Sequence, residues 1–120
     1  MRPAALLRRL LALARPAPGL PVPGMPEPMT VHVQHNESRQ RFEATVDGHL
    51  CVADYTLRGG VMWMPHTEVP PAVGGRGIAA ELVRAALAWA EEKGYKVQPS
   101  CSYVAAYMRR NPETLKLLAR

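Results

Sequence analysis

The stretch Val69-Pro70-Pro71-Ala72-Val73-Gly74-Gly75-Arg76-Gly77-Ile78-Ala79 is where the chain changes its periodicity. Before it apolar residues alternate; after it they recur at helical spacing. Three glycines in four residues let the main chain approach a ligand closely and turn its N–H groups inward. A helix starting here carries unsatisfied N–H groups and the positive end of its dipole, which favour an anion. Arg76 adds a formal charge, and the whole forms a cradle for a pyrophosphate. No Gly-Lys-Ser/Thr follows, so it is not a Walker loop, and the spacing excludes the dinucleotide fingerprint. The competing reading is a flexible glycine loop ahead of a helix.

Upstream, Val31–Gln34 is a short alternating run and is expected as the first strand. Arg41–Val46 alternates with Phe42, Ala44 and Val46 on one face. Asp47-Gly48 then gives the strongest short hairpin signal, and His49–Leu57 reads as the returning strand. After a second turn at Arg58-Gly59-Gly60, Val61–Val69 is again extended. Pro65 cannot donate to a ladder, so this strand is expected to be bulged or open near His66.

Downstream, a helix is expected to Lys93, with Gly94 as its stop. Its apolar stripe runs through Ile78/Ala79, Leu82/Val83, Ala86/Leu87 and Trp89/Ala90. Tyr95–Pro99 reads as a strand and Tyr103–Arg110 as a last short helix, stopped by Asn111-Pro112. Strand, crossing helix and strand imply a parallel pairing of Val61–Val69 with Tyr95–Pro99. The expected class is α+β: a mixed sheet of about five strands, a meander followed by a parallel unit, with a short C-terminal helix.

The chain has 120 residues and a net charge of +5. Residues 1–28 hold four arginines and one acid, so +3 of that charge lies there, together with seven of the twelve prolines. The other 92 residues carry eleven basic and nine acidic groups, only +2, with no basic stripe interleaved with aromatics. This gives little support to nucleic-acid binding. Residues 1–29 read as an Arg/Pro-rich leader, disordered or targeting, and 30–120 as one domain. No apolar run approaches the roughly 20 residues that span a bilayer. Cys51 and Cys101 form neither a disulfide framework nor a metal motif, which fits reduced thiols in a cytoplasmic setting. A mitochondrial location is the alternative if the leader is a presequence. Cys51, in an alternating strand, reads as core packing. His32, His35 and His49 have no partner pattern, and no metal site is expected.

The order of elements and the loop resemble the GNAT superfamily of acetyl-CoA-dependent N-acetyltransferases. Gly74-Gly75-Arg76-Gly77-Ile78-Ala79 is similar to the signature Gln/Arg-x-x-Gly-x-Gly/Ala, departing from it at Gly74. His66-Thr67-Glu68-Val69-Pro70, Pro99-Ser100-Cys101-Ser102-Tyr103-Val104 and Arg110-Asn111-Pro112-Glu113 resemble its compact YjdJ-type branch. The resemblance runs from about Val31 to the C-terminus. It implies that the strands flanking the central helix splay apart and that acetyl-CoA enters the opening. The pyrophosphate would meet Gly74, Gly75, Arg76, Gly77, Ile78 and Ala79. The thioester would lie along Glu68 and Val69, whose main chain could polarise its carbonyl.

Within that frame Cys101 follows the second splayed strand, where a thiolate could accept the acetyl group. Activation is expected from His66 or from the N-terminus of the helix holding Tyr103. His66 is the first candidate base, for an amine or for the thiol, because a free imidazole changes charge at pH ~6.5. Glu68 lies two residues on, on the same face, and ranks second. Tyr103 is the candidate acid for the departing CoA thiolate. The expected function is transfer of an acetyl group from acetyl-CoA to an unidentified amine, on a small molecule or a protein, by a monomer or weak dimer. A CoA-binding module with little or no catalysis is the alternative.

Overall fold

A computed structural model describes residues 31–120, so the expectation for residues 1–29 lies outside the described part. Five strands form one sheet in chain order, β1 (Gln34–Asn36), β2 (Arg41–Val46), β3 (His49–Arg58), β4 (Val61–Glu68) and β5 (Lys96–Gln98). The first four are antiparallel neighbours, and β5 joins β4 in parallel after the crossing helix α1 (Ile78–Lys93). A second helix, α2 (Ser102–Arg110), follows β5. The mixed α+β sheet expected from the alternating runs is therefore present.

The turn chemistry explains the meander. Asp47 and Gly48 at the β2–β3 turn have φ of 50° and 79°, and Gly59 and Gly60 at the β3–β4 turn have 58° and 79°. Paired left-handed residues match the twist of the strands that they join. The first strand departs from expectation: the ladder uses Gln34–Asn36, not Val31–Gln34. Val31 and Val33 keep the inward phase and pack on the core, but make no ladder pairs. A tight turn at Glu37–Arg39, capped by the Asn36 side chain accepting from the Arg39 N–H at 3.2 Å, sets the register instead.

Both helices pack on one face of the sheet. That face supplies Phe42, Ala44, Cys51, Ala53, Tyr55, Met62, Met64 and Val97, and α1 meets it with Ile78, Leu82, Val83, Ala86, Leu87 and Ala90. Cys51 is fully buried there, and burial pushes its thiol pKa up, in line with a packing role. The opposite face carries the cross-strand row Arg41, Asp54 and His66, with Thr56, Arg58 and Trp63 nearby; no helix of the described residues covers it. Arg58 lies 4.9 Å from the Trp63 ring centre.

One end of the core is aromatic. His35 stacks on Phe42 at 4.1 Å, meets the Trp89 ring edge at 4.5 Å, and shares a 2.5 Å hydrogen bond with the Tyr55 hydroxyl. Nothing in the sequence pattern marked His35 for this place. Burial holds its pKa below the ordinary imidazole value, against a smaller upward pull from Glu37. The unfolded chain therefore takes up this proton at higher pH than the fold does. The linked stability is complete above about pH 6.5 and is lost as pH falls from there through the lower folded value. We expect an NMR titration midpoint for His35 below about 6.5, with thermal stability declining across the same window. A midpoint at or above the ordinary value would contradict this.

Candidate active site

The two parallel strands run together for only three pairs, Val61 with Lys96, Met62 with Val97 and Trp63 with Gln98. Past that point β4 continues to Glu68 beside β3 alone. Pro99 has no N–H, Ser100 turns its N–H back to the Gln98 carbonyl at 3.0 Å, and the Cys101 N–H reaches the Met64 carbonyl at 2.9 Å. The strands thus part at their carboxyl ends, where open sheets take ligands. The chain leaves β4 through the glycine loop into α1 and leaves β5 through Cys101 into α2. Two helix N-termini therefore stand at the same end of the parted strands.

The loop is rich in free donors. Pro71–Val73 forms a single tight turn, and Gly74 spends its N–H on the Pro71 carbonyl at 3.1 Å. The first bond of α1 runs from the Glu81 N–H to the Gly77 carbonyl at 3.2 Å, and Gly77 offers no side-chain cap. Among the described residues the main-chain N–H groups from Gly75 to Ala80 have no partner, as an anion site needs. Gly75 and Gly77 both hold φ of 76°. Ile78 is buried and Ala79 half-buried, so each offers the loop only its main chain. Arg76 points to the β2–β3 hairpin, where its Nη1 lies 2.7 Å from Asp47 Oδ2. Nothing in the sequence pointed to this resting partner.

Cys101 occupies the N-cap of α2 without a cap bond of ordinary geometry. Its Sγ lies 3.8 Å from Thr67 Oγ1 across the opening. Burial pushes the thiol pKa up, but the Val104 N–H, the Thr67 hydroxyl and the N–H groups of Tyr103 and Thr67 outweigh it, leaving the thiol more acidic than usual.

His66 and Glu68 come together as expected: His66 Nε2 lies 3.2 Å from Glu68 Oε1, both well exposed. They do not come together with the thiol. His66 pairs with Asp54 and Glu68 with Val52, on the uncovered face, whereas Thr67 pairs with Ala53, on the helix-covered face. Cross-strand partners point to the same side of a sheet. The thiol meets Thr67, so the β4 backbone separates it from the imidazole. Of the two activators expected for Cys101, the N-terminus of α2 stands beside the sulfur and His66 does not. The cause is the irregularity between Asp54/Thr56 and their partners, where β4 carries one extra residue around Pro65 and shifts its phase. The bulge itself was legible from Pro65; Thr67 as the residue facing the thiol was not.

Tyr103 sits in the first turn of α2, half-buried against the core. Burial raises its pKa, against a smaller downward pull from Arg110, so it holds its proton at neutral pH. Val69 is half-buried just past β4. Among the described residues no three His, Cys, Asp or Glu side chains are placed to hold a metal. A cavity of about 190 Å³ between Arg84, Leu87, Glu91, Tyr107 and Leu117 touches neither the glycine loop nor Cys101. A slot between strands is not an enclosed cavity, and its free donors and thiol define it better than volume does.

A meander, a parted parallel pair and a donor loop opening the crossing helix define a GNAT-type acyltransferase fold. A solution structure of a GCN5-like protein from Staphylococcus aureus shares it, with a TM-score of 0.60 at 21% identity, covering 73% of this chain and 87% of that one. The family profile described as GCN5-related N-acetyl-transferase matches residues 41–117, and the chain belongs to that family. Among its relatives, Protein NATD1 of Homo sapiens is 32% identical over 103 residues, 83% of this chain and 91% of that protein. Protein NATD1 of Bos taurus is 33% identical over 102 residues, 82% of this chain and 87% of that protein.

The loop conformation generates a direct test. Alanine at Gly77 meets no atom within 4 Å but must hold φ of 76°, which costs roughly 1–2 kcal/mol. Gly74 has φ of −68°, and alanine there is expected to cost well under about 1 kcal/mol. Urea unfolding of Gly77→Ala and Gly74→Ala should rank them in that order; equal losses would contradict the assigned backbone.

Proposed function

We propose that the protein binds acetyl-CoA and transfers its acetyl group to an amine by way of Cys101. The observation that carries this reading is the placement of the Cys101 thiol, 3.8 Å from Thr67 Oγ1, at the mouth of the parted strands, at the end where the glycine loop offers its free N–H groups. The CoA pyrophosphate takes the N–H groups from Gly75 to Ala80 and, once it has left Asp47, the Arg76 guanidinium. The thioester lies along Glu68 and Val69, where a main-chain N–H steadies the oxyanion.

The Cys101 thiolate attacks the acetyl carbonyl carbon, the bond to the CoA sulfur breaks, and CoA leaves as a thiolate that takes the Tyr103 phenolic proton. The phenol is reprotonated from solvent. An amine then gives a proton to His66, with Glu68 beside it to steady the imidazolium, and attacks the acetyl carbon. The new carbon–nitrogen bond forms and the Cys101 thiolate is released. Direct transfer, with His66 or Glu68 as base and no thiol intermediate, is the shorter route through the same groups. We place the protein in the cytoplasm as a monomer or weak dimer, acting on a small-molecule or protein amine.

Acetyl-CoA should raise the melting temperature, since saturation at about a hundred times Kd is worth about 2.7 kcal/mol. No shift at millimolar acetyl-CoA would overturn the reading. Intact-mass measurement after acetyl-CoA treatment should show one acetyl adduct that Cys101→Ala lacks. CoA release to an amine without an adduct would select direct transfer. Binding with neither adduct nor CoA release to any amine would reduce the protein to a CoA-binding module. Asp47→Asn, which suits the left-handed turn, frees Arg76 and should tighten CoA binding about two- to tenfold, while Arg76→Ala should weaken it by a similar factor.

A further inference from the structure

We propose that Thr67 is the positioning residue for the Cys101 thiolate, acting with main-chain N–H groups and without a histidine base. This rests on the reading of Cys101 as the acyl-accepting thiol. Two contacts tie Cys101 to β4. Its N–H donates to the Met64 carbonyl at 2.9 Å, which fixes the main chain, and its Sγ lies 3.8 Å from Thr67 Oγ1, which fixes the side chain. Thr67 can reach the sulfur because the extra residue near Pro65 turns it, and not His66, to the helix-covered face. Its hydroxyl donates to the thiolate, and the N–H groups of Val104, Tyr103 and Thr67 also favour the charged form.

Charged neighbours do not share the task. The titratable groups flanking Thr67 on β4 are His66 and Glu68, paired with each other on the other side of the sheet. Tyr103 on α2 holds its proton, and Arg110 acts on Tyr103. On α1, Glu81 pairs with Arg84, and both act on Tyr107. The groups that lower the Cys101 thiol pKa are neutral donors, the Thr67 hydroxyl and main-chain N–H groups. A thiolate held by neutral donors keeps its acidity whether or not His66 is protonated. The thiol and the imidazole can therefore work at successive steps without one proton serving both. His66 with Glu68 is left to the amine, which meets them on the uncovered face.

The test needs no acetyl-CoA. Iodoacetamide alkylation of Cys101, followed as a function of pH and located by peptide mass, reports the thiolate directly; buried Cys51 does not compete. In Thr67→Val the profile should move to higher pH, with alkylation near pH 7 slowed roughly two- to tenfold, as for loss of one hydrogen bond. Thr67→Ser should restore the wild-type profile. His66→Gln, at an exposed position where substitution costs little stability, should leave the profile where it is. An unmoved profile in Thr67→Val would overturn the proposal, as would one that moves in His66→Gln. A protein inert towards acetyl-CoA but showing these shifts would sink the transferase reading and leave the thiol assignment standing.

Discussion

A proline stands on each side of the point where the parallel strands part: Pro65 within β4 and Pro99 just past β5. The ladder that begins at Val61 and Lys96 ends at Trp63 and Gln98, and Ser100, next in phase to face β4, turns its N–H back to the Gln98 carbonyl instead. The rest of the site follows from that interruption. The Met64 carbonyl, left without a strand partner, takes the Cys101 N–H, and this bond delivers the thiol to the opening and starts α2 there. The bulge that accommodates Pro65 decides which β4 side chains face the helices. The turn after Gln98 thus sets the gap, and the bulge at Pro65 sets the chemistry of its edge.

The sheet then acts as a partition. On the helix-covered side lie the donor-rich loop, the thiol, Thr67 and the phenol of Tyr103. On the uncovered side lie His66, Glu68 and Asp54. In the proposed reaction donor and acceptor stay apart although no helix of the described residues covers that second face, because the gap between two strands passes through the sheet. The fold economises on walls by using both surfaces of a single layer.

The sequence carried the elements well wherever one local rule governed them. Asp47-Gly48 and Gly59-Gly60 announced their turns, the stripe from Ile78 to Ala90 announced a helix, and Pro65 announced a defect. The positions that escaped depend on phase or on distant partners. Counting alternate residues along β4 puts His66 at the thiol; a single inserted residue reverses this, and the size of a bulge is not written in composition. The Arg76–Asp47 pair joins residues 29 positions apart, and His35 finds its place only through Phe42, Tyr55 and Trp89. Short-range pattern could not supply any of these.

The resting contact between Arg76 and Asp47 has a consequence for ionic strength. Both side chains are largely solvated, with 42% and 66% exposure, so salt weakens their attraction. Salt also weakens the attraction of Arg76 for a phosphate. In the proposed cofactor reading these two losses oppose each other, because screening the first frees the group that the second requires. The ligand loop is thereby buffered. Its affinity for a polyanion should respond to salt less steeply than a free arginine beside a bare helix terminus would, and a hairpin far along the chain provides the compensation.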